Sequence, residues 1–119
     1  MEKYILVVDD DPSIRRMLQA VLHNSGYTSK TAANSAECLI AVRSPDTPTL
    51  ILLDYKMPGM NGLEALSILK KDISTQDIPV VMISAEENLK EPALQQGANA
   101  VLGKPLDINI LVETIGELL

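Results

Sequence analysis

The chain has 119 residues, enough for one domain around a single core. A composition of 46% hydrophobic and 22% charged residues is that of a folded protein and excludes a disordered one. A net charge of −6, with no Phe or Trp and only three Tyr, excludes general nucleic-acid binding through charge or base stacking.

No apolar run approaches the length of a membrane span, and the N-terminus lacks the basic-then-apolar layout of a signal peptide. The single cysteine, Cys38, has no partner for an internal disulfide, which fits a reducing, cytoplasmic setting.

The first apolar run, Tyr4–Val8, is continuous, as in a parallel strand covered on both faces. Three aspartates follow it directly. Asp11 suits a helix N-cap with Pro12 at the first helical position. Ile14, Met17, Leu18, Val21 and Leu22 then repeat at helical spacing, with Arg15, Arg16 and Gln19 on the other face and Gly26 as the stop. His23, near the helix end, reads as an ordinary surface residue.

Tyr27–Thr31 is more polar and suits an edge strand. A second helix fits Ala36–Arg43 after Ser35, with Cys38 among apolar neighbours, and Pro45 to Pro48 reads as a surface loop. Leu50–Leu53 is a second continuous run and ends at Asp54. Asn61 and Glu64 have capping-box spacing for a helix over Leu63–Asp72. Pro79–Ile83 is a further buried run, closed by Ser84. Ala100–Leu102 leads to Lys104, and a last helix starts behind Asp107 and is expected to bury Ile108, Leu111, Ile115 and Leu118.

Strands and helices thus alternate, the signature of an α/β fold. Right-handed crossovers, a polar second strand and apolar strands 1, 3 and 4 favour a doubly wound five-stranded parallel sheet in the order 2-1-3-4-5. Its switch point lies between strands 1 and 3, where such sheets bind ligands at their carboxyl ends. With no repeat or linker, residues 1–119 read as a single domain without an output domain.

Asp9 and Asp10 end strand 1, Asp54 ends strand 3, Ser84 ends strand 4 and Lys104 follows strand 5, so all five share one rim. Two carboxylates about 4 Å apart repel by roughly 4 kcal/mol at an effective dielectric near 20, so three need a counter-charge. A hard divalent cation is the natural one, and Mg²⁺ commonly takes one or two carboxylates with waters and phosphate oxygens. Lys104 supplies a second, fixed positive charge. Singly, each residue has a plainer reading: Asp11 a helix cap, Asp54 a turn residue, Ser84 a cap hydroxyl, Lys104 a solvated charge. Their joint placement at successive strand ends points to a site.

The segments ILVVDDDPSIRRML, LILLDYKMPGMNGLEAL, PVVMISA and GANAVLGKPLDINIL together resemble the receiver domain of bacterial response regulators, from about Tyr4 to the end of the chain. The resemblance implies a flavodoxin-like three-layer (βα)5 receiver fold and a role in two-component or phosphorelay signalling. It implies that Asp54 is the phosphoacceptor, held afterwards as an acyl phosphate. Asp9, Asp10, Asp54 and the backbone carbonyl of Lys56 would hold Mg²⁺. Ser84 would bond one phosphoryl oxygen and Lys104 another, with the Lys104–Pro105 peptide cis. The implied donor is a histidine kinase or histidine phosphotransfer protein, and the domain would signal to an effector or output domain of unspecified kind. It would be a phosphoacceptor rather than an enzyme, contacting neither nucleic acid nor membrane.

Three features depart from the family. The strand-5 position that often carries Tyr or Phe is Val101 here. The stretch from Ser84 to Gly97 is short, and Pro92 fits a first helical turn, so a short fourth helix is expected near Pro92 with Glu86–Glu91 as loop. Lys56 and Glu86 flank Asp54 and are expected to bridge across it and slow acyl-phosphate hydrolysis. Two further readings are a phosphatase with an Asp nucleophile and Mg²⁺, and a ligand-binding module on the same topology. A haloacid-dehalogenase-like phosphatase needs a second Asp where Lys56 stands, and a flavodoxin-like module would set its phosphate on the repelling DDDP loop. A pseudo-receiver that only binds partners is the third alternative.

Overall fold

The computed structural model describes residues 3–119. Five strands, β1 (Ile5–Val8), β2 (Ser29–Ala32), β3 (Leu50–Asp54), β4 (Val80–Ser84) and β5 (Ala100–Gly103), form one parallel sheet in the order β2-β1-β3-β4-β5. Helices α1 (Pro12–Asn24), α2 (Ser35–Val42), α3 (Gly62–Lys71), α4 (Lys90–Gln95) and α5 (Ile108–Leu118) alternate with them. The strand order and switch point are those expected.

Side chains of period two send alternate strand residues to opposite faces, so continuous apolar strands build two cores. On one face Ile5, Val7, Leu50, Leu52, Val81 and Ile83 meet Leu18 and Leu22 of α1 and Leu111 and Ile115 of α5. On the other, Leu6, Val8, Ile51, Leu53, Val80 and Met82 meet α2, α3 and α4 through residues such as Cys38, Leu66 and Ala93.

The helix starts follow their caps. Asp11 Oδ1 accepts the Ser13 N–H at 2.8 Å, and α3 opens with the Asn61–Glu64 capping box. The chain turns out of α1 at Gly26, whose φ of +88° is the left-handed conformation a helix stop uses.

Three expectations are corrected. Helix α2 starts at Ser35 rather than Ala36 and is capped by Asn34: Asn34 accepts the Glu37 N–H at 2.9 Å, and buried Ser35 donates to the Met60 carbonyl at 2.8 Å. Helix α4 begins at Lys90, two residues before Pro92, and Glu87–Leu89 forms a 3-10 turn rather than open loop. Pro92 is accommodated because N–H groups of a first turn have no intrahelical acceptor. In α5, Leu111 and Ile115 are buried, but Ile108 is exposed and Leu118 only half-buried. Ile108 and Leu118 are the first and last residues of the helix, outside the buried Leu111 and Ile115.

Two contacts fix the elements around the strand ends. Gly62 lies so close to the third strand's exit that a Cβ there would sit 2.3 Å from the Asp54 carbonyl oxygen and 2.9 Å from Tyr55 Cα. Lys70, whose pKa burial lowers, donates to the carbonyls of Gln76 (3.0 Å) and Ile78 (2.8 Å), tying α3 to the approach to β4.

Gly62→Ala is expected to destabilise the domain by about 1–3 kcal/mol, because rigid backbone rather than a side-chain tip must give way; urea unfolding checks it. Lys70→Met, which keeps the stem but loses both charge-assisted bonds, is expected to lower stability by about 1–3 kcal/mol in the same assay.

Candidate functional site

The parallel register steps the strand ends together. Val8 pairs with Leu53, Asp54 with Ile83 and Ser84 with Gly103, so Asp9, Asp54, Ser84 and Lys104 emerge side by side. Asp9, Asp54 and Ser84 are buried, Lys104 is half-buried and Asp10 is exposed.

Asp9, Asp10 and Asp54 each offer a carboxylate oxygen, all within 4.8 Å of one another. Lys104 Nζ donates to Asp54 Oδ1 at 2.9 Å and lies 3.8 Å from Asp9 Oδ2. Three carboxylates against this one ammonium leave a local excess of negative charge at the rim.

Burial raises the Asp54 pKa against the lowering by the Lys104 hydrogen bond and charge, and the Asp10 charge adds to the rise. Burial likewise raises Asp9, opposed by the Asp11 N–H and reinforced by the Asp54 charge. For Lys104, burial works against the ammonium, but the Asp54 hydrogen bond and the charges of Asp54, Asp9 and Asp10 outweigh it, and its pKa is raised. The donor set is all carboxylate oxygen, two of its members are buried, and no His or Cys is among them. It fits a hard divalent cation such as Mg²⁺.

Ser84 lies on the same rim without a hydrogen bond to Asp54. Its Oγ accepts the Glu86 N–H at 2.9 Å, and its carbonyl accepts the Lys104 N–H at 3.1 Å. Asp11 serves as the α1 cap. The Lys104–Pro105 peptide is cis. Val101 is half-buried and helps line a cleft of about 380 Å³ with Ser84, Glu86, Lys90 and Lys104.

Lys56 and Glu86 are both exposed and do not bridge: the ion pairs among the described residues are Lys30–Asp46, Lys104–Asp9 and Lys104–Asp54. Two long, solvated side chains gain too little Coulomb energy to offset ordering themselves. His23 is exposed, and Cys38 is fully buried with its thiol pushed up to about 12 by burial.

Helical periodicity places Arg15 on the polar face of α1, yet its Nη1 donates to the Asp9 carbonyl at 2.6 Å. The available signal was its position in the first turn of a capped helix, since long helical side chains lean back toward the N-terminus.

Among the described residues no helix is long and apolar enough to cross a membrane.

The family profile described as response regulator receiver domain matches residues 5–116. The chain is 40% identical over 121 residues to the phosphate regulon transcriptional regulatory protein PhoB of Pseudomonas aeruginosa, covering 98% of this chain and 52% of that protein. It thus spans about half the length of that relative, and likewise 50% of the DNA-binding response regulator MtrA of Mycolicibacterium smegmatis. Protein PilH of Pseudomonas aeruginosa is 36% identical over 117 residues, with 97% of this chain and 96% of PilH covered. The CheY-like response regulator receiver domain protein from Methanospirillum hungatei superposes with a TM-score of 0.88 at 30% identity, covering 98% of this chain and 93% of that one. With carboxylates, hydroxyl and lysine on one rim of the same sheet, the chain belongs to the response regulator receiver domain family, a family of signalling domains.

Proposed function

We propose that this domain accepts a phosphoryl group from a phosphohistidine onto Asp54 and signals through the resulting change at its carboxyl rim. The reading rests on one observation above all: three carboxylates within 4.8 Å of one another, with a single ammonium 2.9 Å from the central one.

Asp54 is the acceptor by position. It ends the central strand, with Asp9 on one side and Ser84 and Lys104 on the other. Lys104 holds Oδ1, and Asp54 attacks phosphorus through a carboxylate oxygen as the phosphorus–nitrogen bond of the donor breaks. The electron pair returns to the imidazole, and the product is an acyl phosphate. Such transfers depend mainly on positioning and on neutralising charge, and Lys104 supplies part of both. Asp9, Asp10, Asp54 and the Lys56 carbonyl would hold Mg²⁺, which supplies charge neutralisation at the phosphoryl oxygens.

The Ser84 hydroxyl accepts from Glu86, so its own proton remains free to meet a phosphoryl oxygen. Movement of Ser84 would carry Glu86 and the following 3-10 turn with it, biasing α4 without an aromatic partner at Val101. The donor is a histidine kinase or histidine phosphotransfer protein in the cytoplasm. The chemistry is confined to the domain's own phosphorylation and dephosphorylation. The output lies in an effector or a fused domain, and the domain itself, at a net charge of −6, leaves nucleic acid uncontacted.

Incubated with acetyl phosphate and Mg²⁺, the protein is expected to gain one phosphoryl group by intact mass, and Asp54→Asn none. Prior chelation should abolish the gain. No gain in a folded wild-type chain would overturn the reading.

Charging Asp9 and Asp54 opposes folding. Their folded pKa values are raised, so between the unfolded value of roughly 3.9 and the folded one the native state holds more protons, and stability falls as pH rises. Asp9→Asn is therefore expected to raise the thermal midpoint at neutral pH, the gain fading as pH approaches the unfolded value. Mg²⁺ at about ten times its Kd is expected to stabilise the wild type by ~1.4 kcal/mol, and Asp9→Asn by less. Circular dichroism melts with and without the metal read both effects.

A further inference from the structure

We infer that Arg15 is a positioning residue for the cation site, acting through the main chain of Asp9 rather than through its charge. The role rests on the cation-binding reading above. Arg15 Nη1 donates to the Asp9 carbonyl oxygen at 2.6 Å, a contact between α1 and the loop that bears the carboxylates. That carbonyl belongs to the peptide joining Asp9 to Asp10.

The rest of the loop is held at its two ends. The Asp9 N–H donates to the Ala32 carbonyl at 3.2 Å, and the Asp9 carboxylate accepts the Asp11 N–H at 2.9 Å. Asp11 is fixed by its cap on Ser13 and by the Arg15 N–H, which donates to its carbonyl at 3.1 Å. Asp10 stands between them, exposed, and among the described residues its carboxylate makes no hydrogen bond or ion pair. The position from which that carboxylate projects is therefore set by the main chain of the loop, and Arg15 holds the Asp9–Asp10 peptide from the carbonyl side.

Arg15 also forms no ion pair with Asp9, Asp10 or Asp11. Its guanidinium grips the main chain and leaves the carboxylates free for a cation. This separates two roles by sign. Acting through its charge, Arg15 would repel a divalent cation, and its removal would tighten binding. Acting as a main-chain anchor, its removal would weaken binding, as loss of outer contacts to a metal site does.

Titration of Mg²⁺ alone into the metal-free full chain by calorimetry decides between them. Arg15→Met is expected to raise the Mg²⁺ Kd on the order of tenfold, and Arg15→Lys to raise it less, since an ammonium offers a donor to the same carbonyl. The metal-free chain gives a second readout: the Asp10 amide ¹⁵N resonance, on the far side of the anchored peptide bond, should move in Arg15→Met and move less in Arg15→Lys. An unchanged or tighter Kd in Arg15→Met overturns the role. Should Arg15→Met fail to fold, Arg15→Lys decides: a weaker Kd with a moved Asp10 resonance supports the role, and an unchanged Kd overturns it. A folded wild type that takes up no Mg²⁺ would refute the cation site itself and this role with it, whereas wild-type binding with unchanged variants would refute the Arg15 role alone.

Discussion

The ion pair between Lys104 and Asp54 spans β4: one partner ends β3 and the other follows β5. Among the described residues Lys104 makes the only cationic contacts to a cluster of three carboxylates, two of which the sheet buries. Without it, the ends of β1 and β3 would present unscreened charge at the edge of an apolar core. Its geometry depends in turn on the register, which places Asp9, Asp54, Ser84 and Lys104 in consecutive positions across four strands. A shift of any of these strands would separate the pair. The interior packing and the rim chemistry are therefore one constraint: the apolar strands fix the register, and the register fixes the charges.

Close approach supports the same arrangement from the helical side. Gly62 lets α3 start against the main chain of Asp54, and Ser35 donates from α2 to the Met60 carbonyl in the intervening loop. The loop after β3 is thus held by its neighbours on two sides. Polar contacts to main-chain carbonyls do much of this work, and side-chain pairs do little. Arg15, Ser35, Lys70 and Lys104 each reach a different segment, yet only Lys104 does so through an ion pair.

What the amino-acid sequence disclosed follows from which interactions are local. The continuous runs at Leu50–Leu53 and Pro79–Ile83 read as buried strands because both faces must be apolar, and the caps at Asp11 and Asn61 act within three residues. The rim residues were legible because they sit directly after those runs. Asn34 and Ser35 are both good caps, and the choice was made by a tertiary contact, Ser35 to Met60, that no local pattern contains. Ile108 has the right periodicity for burial but is the first residue of α5 and stays exposed. Arg15 was hidden for a related reason: periodicity assigns a side chain to a face, and a long flexible one can fold back along the helix to reach a carbonyl.

Cys38 gives the core a property of its own. Its side chain is fully enclosed on the α2 side of the sheet, and burial pushes its thiol up to about 12. In the folded chain the group is therefore silent to oxidants and alkylating reagents. It becomes reactive only when α2 lifts from the sheet, so the rate of its alkylation is a clock for the opening of that layer.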